Sequence, residues 1–288
     1  MTPRSQSVIG NGSSRAVLTT GANSGFGLLT ALELARRGFR SFGSVRSQEK
    51  ADVVAQAASA AGVQVETVIF DVQDREACRR SIGGLPPLWG LVNNAGLNSS
   101  GAVLDLSDED AAMAVDVMLL APMRLARLVI PTMAEHGGGR IVNITSVGGR
   151  VGVPLGAYYS ASKFGLEAAS DALRMETSRY NVKVILIEPG SFGGTAIYEA
   201  GLFTDGKDGS RWATSDYQDA YARFRKLTAR PAFHKDPAPV VRRVVHAIEA
   251  ERPRARYMVG YDGKLQLTLK TVLPTSLHDR LYRRLLRL

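Results

Sequence analysis

Short apolar runs alternate with longer segments of helical periodicity along most of this chain. Each run has the length of a strand, and the segments between the runs place their apolar residues on one helical face. This alternation is typical of a doubly wound parallel sheet with helices on both faces. The sequence therefore predicts an α/β fold in one domain. The predicted strands are residues 15–20, 39–45, 63–70, 88–92, 141–144, 182–187 and 256–260.

The turn after the first predicted strand is rich in glycine and opens a helix. Glycines permit a tight turn and let backbone N–H groups approach a pyrophosphate at the start of the following helix. The strand before it and the helix after it favour this interpretation over an ordinary structural turn. We therefore predict a Rossmann-type dinucleotide site. Its residues are Gly21, Asn23, Ser24, Gly25, Phe26 and Gly27.

The end of the second strand bears on the type of dinucleotide. The chain there reads Ser44-Val45-Arg46, without the acidic residue that would bond the ribose hydroxyls of NAD. The guanidinium of Arg46 suits a 2′-phosphate, which favours NADP(H) over NAD(H). A solvated arginine is the alternative, and Glu49 is the nearby acid that weighs against NADP(H).

A serine, a tyrosine and a lysine are predicted to surround one point. Ser146 follows the strand at 141–144, and Tyr159 and Lys163 lie four residues apart on a predicted helix, so they share its face. A nearby ammonium lowers the pKa of a phenol from its ordinary value of about 10. Tyr159 would then exchange a proton with a carbonyl or alcohol oxygen held by Ser146, which suits hydride transfer from a nicotinamide. The pair alone is common by chance, and the serine strand and glycine turn make it specific.

Composition and charge limit the other functions. The chain has 288 residues and one cysteine, Cys78, which favours a cytoplasmic setting and a structural thiol. The four histidines lack metal-ligand spacing, so no metal site is predicted. The net charge is +9, but the arginines are spread out and no nucleic-acid motif is present, so no nucleic-acid partner is expected. Residues 1–14 are polar and predict a flexible tail.

Two segments break the alternation. Residues 191–237 carry glycines among aromatic residues and predict a substrate lid, with a surface excursion as the alternative. Residues 263–288 space leucines and arginines at helical intervals and predict an amphipathic extension. Packing of this extension on the body or on a subunit is favoured over contact with an anionic membrane surface.

In combination, these motifs resemble the short-chain dehydrogenase/reductase family over about residues 15–262. The specificity lies in the set and its order along the chain. The matching elements are Thr20-Gly-Ala-Asn-Ser-Gly-Phe-Gly27, Asp71, Asn93-Asn-Ala-Gly96, Ser146, Tyr159-Ser-Ala-Ser-Lys163 and Pro189-Gly190.

The resemblance implies a role for each matching element. Ser146 would polarise the substrate oxygen, Tyr159 would be the general acid/base, and Lys163 would lower its pKa and bond the nicotinamide ribose. The glycine turn would bind the pyrophosphate. The remaining cofactor contacts would be Asp71 and Val72 on the adenine side, Asn94, Ala95 and Gly96 near the ribose, and the segment from Pro189 and Gly190 to Thr195 over the nicotinamide.

Weaker similarities indicate a branch of this family. Val45-Arg46, the run from Glu188 to Phe192 and the run from Arg256 to Gly260 resemble the branch that includes 17β-hydroxysteroid and retinol dehydrogenases. This implies a bulky apolar alcohol or carbonyl substrate that is steroid-, retinoid- or polyketide-like. The family usually assembles through helices here at 121–136 and 158–180, which implies a homodimer or homotetramer.

The sequence departs from the family at two places. Asp116-Val117-Met118 stands where the family usually has Asp-Val-Asn, and a methionine cannot hold the water that links the lysine to bulk solvent. The alternative function is therefore a catalytically weakened or non-enzymatic NADP(H)-binding protein. The Gly193-Gly194 pair also moves Thr195 one residue later than usual.

Overall fold

The computed structural model of the protein describes residues 15–193, 212 and 214–288. In this part of the chain, all strands join one parallel sheet in the order β3-β2-β1-β4-β5-β6-β7. The predicted α/β fold with a doubly wound parallel sheet is confirmed. The strands are β1 (Ala16–Thr20), β2 (Arg40–Val45), β3 (Val65–Ile69), β4 (Leu88–Asn93), β5 (Gly139–Ile144), β6 (Val182–Pro189) and β7 (Arg256–Val259).

Helices connect and cover the strands. The helices up to the one that carries Tyr159 and Lys163 are α1 (Gly25–Arg36), α2 (Gln48–Ala60), α3 (Arg75–Gly83), α4 (Asp108–Val115), α5 (Ala121–Glu135) and α6 (Ala157–Glu176). The later helices of the described part are α7 (Gln218–Thr228), α8 (Ala238–Glu249), α9 (Tyr261–Val272) and α10 (Thr275–Leu286).

The sheet has an apolar core on each face. Adjacent strand residues point to opposite faces, so Leu18 joins the cluster that contains Leu125 of α5, and Val17 joins the cluster that contains Val244 of α8. All four side chains are almost completely buried. Because both faces are covered, β1 has no polar side and reads as a continuous apolar run.

Helices α4 and α5 are continuous, because a π-helical turn (Asp116–Leu120) links them. Pro122 lies in the first turn of α5, where a missing backbone N–H costs little. The C-terminal extension is two helices, since Pro274 ends the first, and it begins at Tyr261, two residues before the predicted start at residue 263. No described helix is long and apolar enough to cross a membrane.

Helix α10 packs on α7 through one side of its leucine pattern. Leu286 is buried in a cluster with Ala102, Leu155 and Tyr221, whereas Leu285 is 44% exposed. Leu277, Leu281 and Leu288 share the exposed stripe with Leu285. The extension therefore docks on the body and still presents an apolar stripe outward. The predicted tail at 1–14 lies outside the described residues.

The docking of α10 can be tested with neighbouring leucines. Leu286→Ala is expected to lower the free energy of unfolding by about 2–4 kcal/mol, because it leaves a cavity in a closed apolar cluster. Leu285→Ala is the matched control and should change it by less than about 0.5 kcal/mol. Chemical denaturation of the full chain measures both values. Equal effects of the two substitutions would contradict this packing.

Candidate active site

Two turns meet at the carboxyl edge of the sheet, between β1 and β4. The topology reverses there, which is where open α/β sheets bind ligands. The side-chain amide of Asn94 donates to the carbonyl oxygens of Thr20 at 2.9 Å and of Gly21 at 3.2 Å. The hydroxyl of Thr20 accepts from the backbone N–H groups of Asn94 and Ala95, both at 3.0 Å. These crossed bonds hold the glycine turn against the Asn94–Gly96 turn, and the bridging role of Thr20 was not predicted.

The glycine turn leaves no room for side chains at its close approaches. A Cβ atom at Gly27 would lie 2.3 Å from the carbonyl oxygen of Gly21 and 2.4 Å from Nδ2 of Asn94. Gly21 and Gly25 have φ values of +64° and +53°, which favour glycine. Ser24 is the N-cap residue of α1, but its side chain makes no capping hydrogen bond, and the first turn of α1 has no acidic residue. The N–H groups at this helix start can therefore receive an anion, and the turn fits a pyrophosphate.

Arg46 lies beside this turn. Arg46 is exposed and follows the last residue of β2. Two residues before it, the carbonyl oxygen of Ser44 accepts a hydrogen bond from the N–H of Ala22 at 3.1 Å. Glu49 is also exposed, in the first turn of α2. The end of β2, which Arg46 follows, is thus held against the glycine turn.

Asp71 and Val72 follow β3, and a buried arginine holds them in place. Asp71 accepts from the N–H of Gln73 at 2.9 Å. The carbonyl oxygen of Val72 accepts from Arg124, which also pairs with Asp116 at 2.7 Å. Arg124 was not among the predicted site residues, although an arginine within the apolar pattern of α5 indicates a buried partner.

The structure brings Ser146, Tyr159 and Lys163 together. The hydroxyl of Ser146 accepts from the N–H of Gly148 at 3.0 Å, and a Cβ atom at Gly148 would lie 3.0 Å from Cε1 of Tyr159. The Nζ atom of Lys163 donates to the carbonyl oxygen of Ile144 at 2.8 Å. Lys163 is buried and Tyr159 is half-buried.

Burial dominates the ionisation of this group. It raises the pKa of Tyr159, and the interaction with Ser146 opposes that change. It lowers the pKa of Lys163 to about 8, and the negative charge of Glu167 opposes that change. The direction for Tyr159 is opposite to the sequence expectation, because desolvation of the phenol outweighs the other influences on it.

Polar contacts that sequence analysis missed fix helix α6 on the sheet. Asn93 donates to Oδ1 of Asn143 at 2.8 Å, and Asn143 donates to the hydroxyl of Ser170 at 2.8 Å. Ser170 in turn donates to the carbonyl oxygen of Leu166 at 2.6 Å. The three polar residues are buried. They tie β4, β5 and α6 into one unit that carries the serine, tyrosine and lysine.

Met118 lies in the π-helical turn and is fully buried. It belongs to the apolar cluster against which Tyr158 and Tyr159 pack. A thioether is only a weak hydrogen-bond acceptor. The side chain at this position therefore contributes apolar packing where the family usually has an amide.

The exit of β6 is anchored by the C-terminal extension. The N–H of Ser191 donates to Oδ2 of Asp262 at 2.7 Å, and Lys235 pairs with the same carboxylate. Burial alone would raise the pKa of Asp262, but these partners hold it below its usual value. A Cβ atom at Gly190 would lie 2.6 Å from Oδ1 of Asp262, which accounts for the glycine. Residues 194–211 and 213 of the predicted lid, which include Gly194 and Thr195, lie outside the described residues.

Comparison with known proteins decides the family. The sequence profile described as short chain dehydrogenase matches residues 15–201. The chain belongs to the short-chain dehydrogenase family. It is therefore a member of an oxidoreductase family whose proteins bind NAD(P), as the motifs predicted.

Among curated relatives, mouse retinol dehydrogenase 16 is 35% identical, covering 96% of this chain and 90% of the relative. Rat 17-beta-hydroxysteroid dehydrogenase type 6 is 33% identical, with the same coverage of 96% and 90%. The predicted branch of the short-chain dehydrogenase family is confirmed. A solved variant of actinorhodin polyketide ketoreductase with NADPH has a TM-score of 0.74 and 30% identity, covering 88% of this chain and 97% of that one.

The crowding at Gly27 gives a test of the glycine turn. Gly27→Ala is expected to weaken NADPH binding at least about tenfold, or 1.4 kcal/mol, because the new methyl group would push Gly21 or Asn94 aside. Gly83→Ala is the control, since no atom lies within 4 Å of a Cβ atom there. Calorimetric titration of both folded variants measures the difference. Unchanged affinity in Gly27→Ala would show that the dinucleotide does not use this turn.

Proposed function

We propose that this short-chain dehydrogenase is an NADP(H)-dependent oxidoreductase that interconverts an alcohol and a carbonyl on a bulky apolar substrate. The observation that carries the proposal is the convergence of Ser146, Tyr159 and Lys163 at the same edge of the sheet as the glycine turn. A hydroxyl, a phenol and an ammonium at one point match what a carbonyl oxygen requires as it gains a proton.

A bound nicotinamide would supply or accept the hydride. Ser146 would donate a hydrogen bond to the substrate oxygen and hold it against Tyr159. Tyr159 would give its proton to that oxygen in reduction and take it back in oxidation. The raised pKa of Tyr159 keeps the phenol protonated at neutral pH, which suits it as the acid in reduction. Lys163, held by the carbonyl oxygen of Ile144, would place positive charge beside the phenol.

Arg46 supports NADP(H) over NAD(H). It is exposed at the end of β2, and the residue at the strand end is not acidic. The solved ketoreductase variant that resembles this chain was determined with NADPH. Asp71 and Val72 would contact the adenine side, and Asn94, Ala95 and Gly96 the ribose. Pro189 and Gly190 would lie over the nicotinamide, with Thr195 beyond them.

The substrate class follows from the relatives and from one apolar cluster. The similar proteins include a retinol dehydrogenase and a 17-beta-hydroxysteroid dehydrogenase. Ala102, Leu155 and Tyr221 form a buried cluster with the half-buried Trp212. Leu155 lies just before α6, and Trp212 and Tyr221 lie in the predicted lid. The relatives support a large apolar substrate, and the cluster shows that α7 of the predicted lid packs on the body beside α6.

Exposed apolar side chains on the helices that flank β5 support a homodimer or homotetramer. Leu120 is 46% exposed at the start of α5, and Phe164 is 42% exposed on α6. A cytoplasmic location stays part of the proposal. Contact of the exposed leucine stripe of α10 with an anionic membrane is the less favoured use of that surface.

The catalytic assignment predicts that Tyr159→Phe abolishes carbonyl reduction while NADPH still binds. The phenyl ring keeps the packing but has no proton to give, so the expected loss of kcat is at least about a hundredfold. Steady-state kinetics on steroid, retinoid and polyketide carbonyls, with calorimetric titration of NADPH, measure both properties. Full activity of the variant would refute the assignment.

The alternative is a weakened or non-enzymatic NADP(H)-binding protein, and buried Met118 favours it. In that case the wild-type protein binds NADPH but reduces no carbonyl in the panel. Gain of turnover in Met118→Asn would then identify an enzyme that has lost its proton path.

The cofactor preference is tested by titrating wild-type protein and Arg46→Ala with NADPH and NADH. NADPH should bind wild-type protein at least about tenfold tighter, or 1.4 kcal/mol, because Arg46 pairs with the 2′-phosphate. Arg46→Ala should lose most of that difference and keep its affinity for NADH. Equal affinities in the wild-type protein would make NAD the better candidate.

A further inference from the structure

Glu167 is a buried carboxylate close to the proposed catalytic group. It lies on α6 one helical turn after Lys163 and is 5% exposed. Its Oε2 atom accepts from Nε of Arg256 at 3.1 Å. Its Oε1 atom is buried and has no hydrogen-bond partner among the described residues. The nearby hydroxyl of Thr145 donates to the carbonyl oxygen of Ile187 at 3.0 Å.

Balancing the charge of Arg256 does not explain why Glu167 is there. Arg256 also pairs with Asp171 on α6, and its Nε atom lies 3.3 Å from Oε1 of Glu188 on β6. Glu188 has a second cation, Arg150, at 3.1 Å. Arg256 therefore has two other carboxylates, and a third that is buried with an unsatisfied oxygen costs free energy.

The negative charge of Glu167 would stabilise the protonated form of Lys163. Its ammonium is buried, and it donates a hydrogen bond to the carbonyl oxygen of Ile144, which carries no charge. A buried ammonium without a nearby anion tends to lose its proton. Residues four apart on a helix share a face, and Glu167 is the group that favours the charged form of Lys163.

The ionisation of Glu167 reflects the same surroundings. Burial raises its pKa, and the charge of Glu188 adds to that change. Thr145 and Arg256 act in the opposite direction. Tyr159 lies on the same face of α6, four residues before Lys163.

We propose that Glu167 is a positioning residue that acts through Lys163, and that its carboxylate keeps the buried ammonium protonated. The charge state of Lys163 does not depend on any substrate. Its consequence for catalysis rests on the proposed function, because only a protonated Lys163 places positive charge beside Tyr159.

The direct test is an NMR titration of the full chain labelled with ¹³C at the lysine Cε atoms. Lys163→Arg assigns the resonance. Glu167→Gln should lower the titration midpoint of Lys163 by about one pH unit or more, the size of effect that loss of one nearby opposite charge produces. Asp171→Asn is the matched control, since it also removes a carboxylate partner of Arg256, and it should leave the midpoint unchanged. Glu167→Asp keeps the charge and should stay close to wild type.

Two results would overturn the proposal. One is an unchanged midpoint in Glu167→Gln, and the other is an equal shift in Asp171→Asn. If Glu167→Gln does not fold, wild-type protein labelled at the glutamate carboxyl carbons decides the question. The Glu167 resonance should then move as Lys163 titrates, and a flat response would refute the coupling.

The kinetic consequence separates this proposal from the proposed function. In carbonyl reduction, the alkaline limb of kcat/KM for Glu167→Gln should move to lower pH by the same interval as the Lys163 midpoint, because Lys163 loses its proton earlier. Asp171→Asn should keep the wild-type profile, and an unchanged limb in Glu167→Gln would refute the catalytic consequence. If wild-type protein reduces no carbonyl at any pH, the proposed function fails, while the NMR titration still decides the role of Glu167.

Discussion

The packing of α6 on β5 is the constraint on which the site depends. Lys163 donates to the carbonyl oxygen of Ile144, the last residue of β5, and Ser170 accepts from Asn143, the residue before it. These bonds are buried, so losing either would leave unsatisfied polar atoms in the interior. They fix the position of α6 along β5, and this position places Tyr159 beside Ser146.

The same packing explains why the charges of the site are linked. A lysine that reaches the end of a central strand must cross the interior, where burial favours its neutral form. Glu167 lies on the same helix face, and the sheet supplies Arg256 and Glu188 beyond it. A series of ion pairs therefore runs from Glu167 through Arg256 and Glu188 to Arg150, which is 37% exposed.

The cofactor side and the C-terminal side depend on contacts between distant segments. Thr20 and Asn94 join two turns that are 74 residues apart in sequence. Asp262 in α9 holds the backbone at the end of β6, 71 residues earlier. The extension is thus part of the architecture around the proposed nicotinamide site, and α10 closes on α7 through Leu286.

The sequence by itself determined the order of strands and helices, the glycine turn and the spacing that puts Tyr159 and Lys163 on one face, because these are local properties of residue type and period. Only the tertiary structure decided the π-helical turn at Met118, the bridging role of Thr20, the arginine behind Val72 and the surroundings of Glu167. It also reversed the expected direction for the pKa of Tyr159. Each of these depends on burial or on a partner far away in the chain, and neither follows from a local pattern.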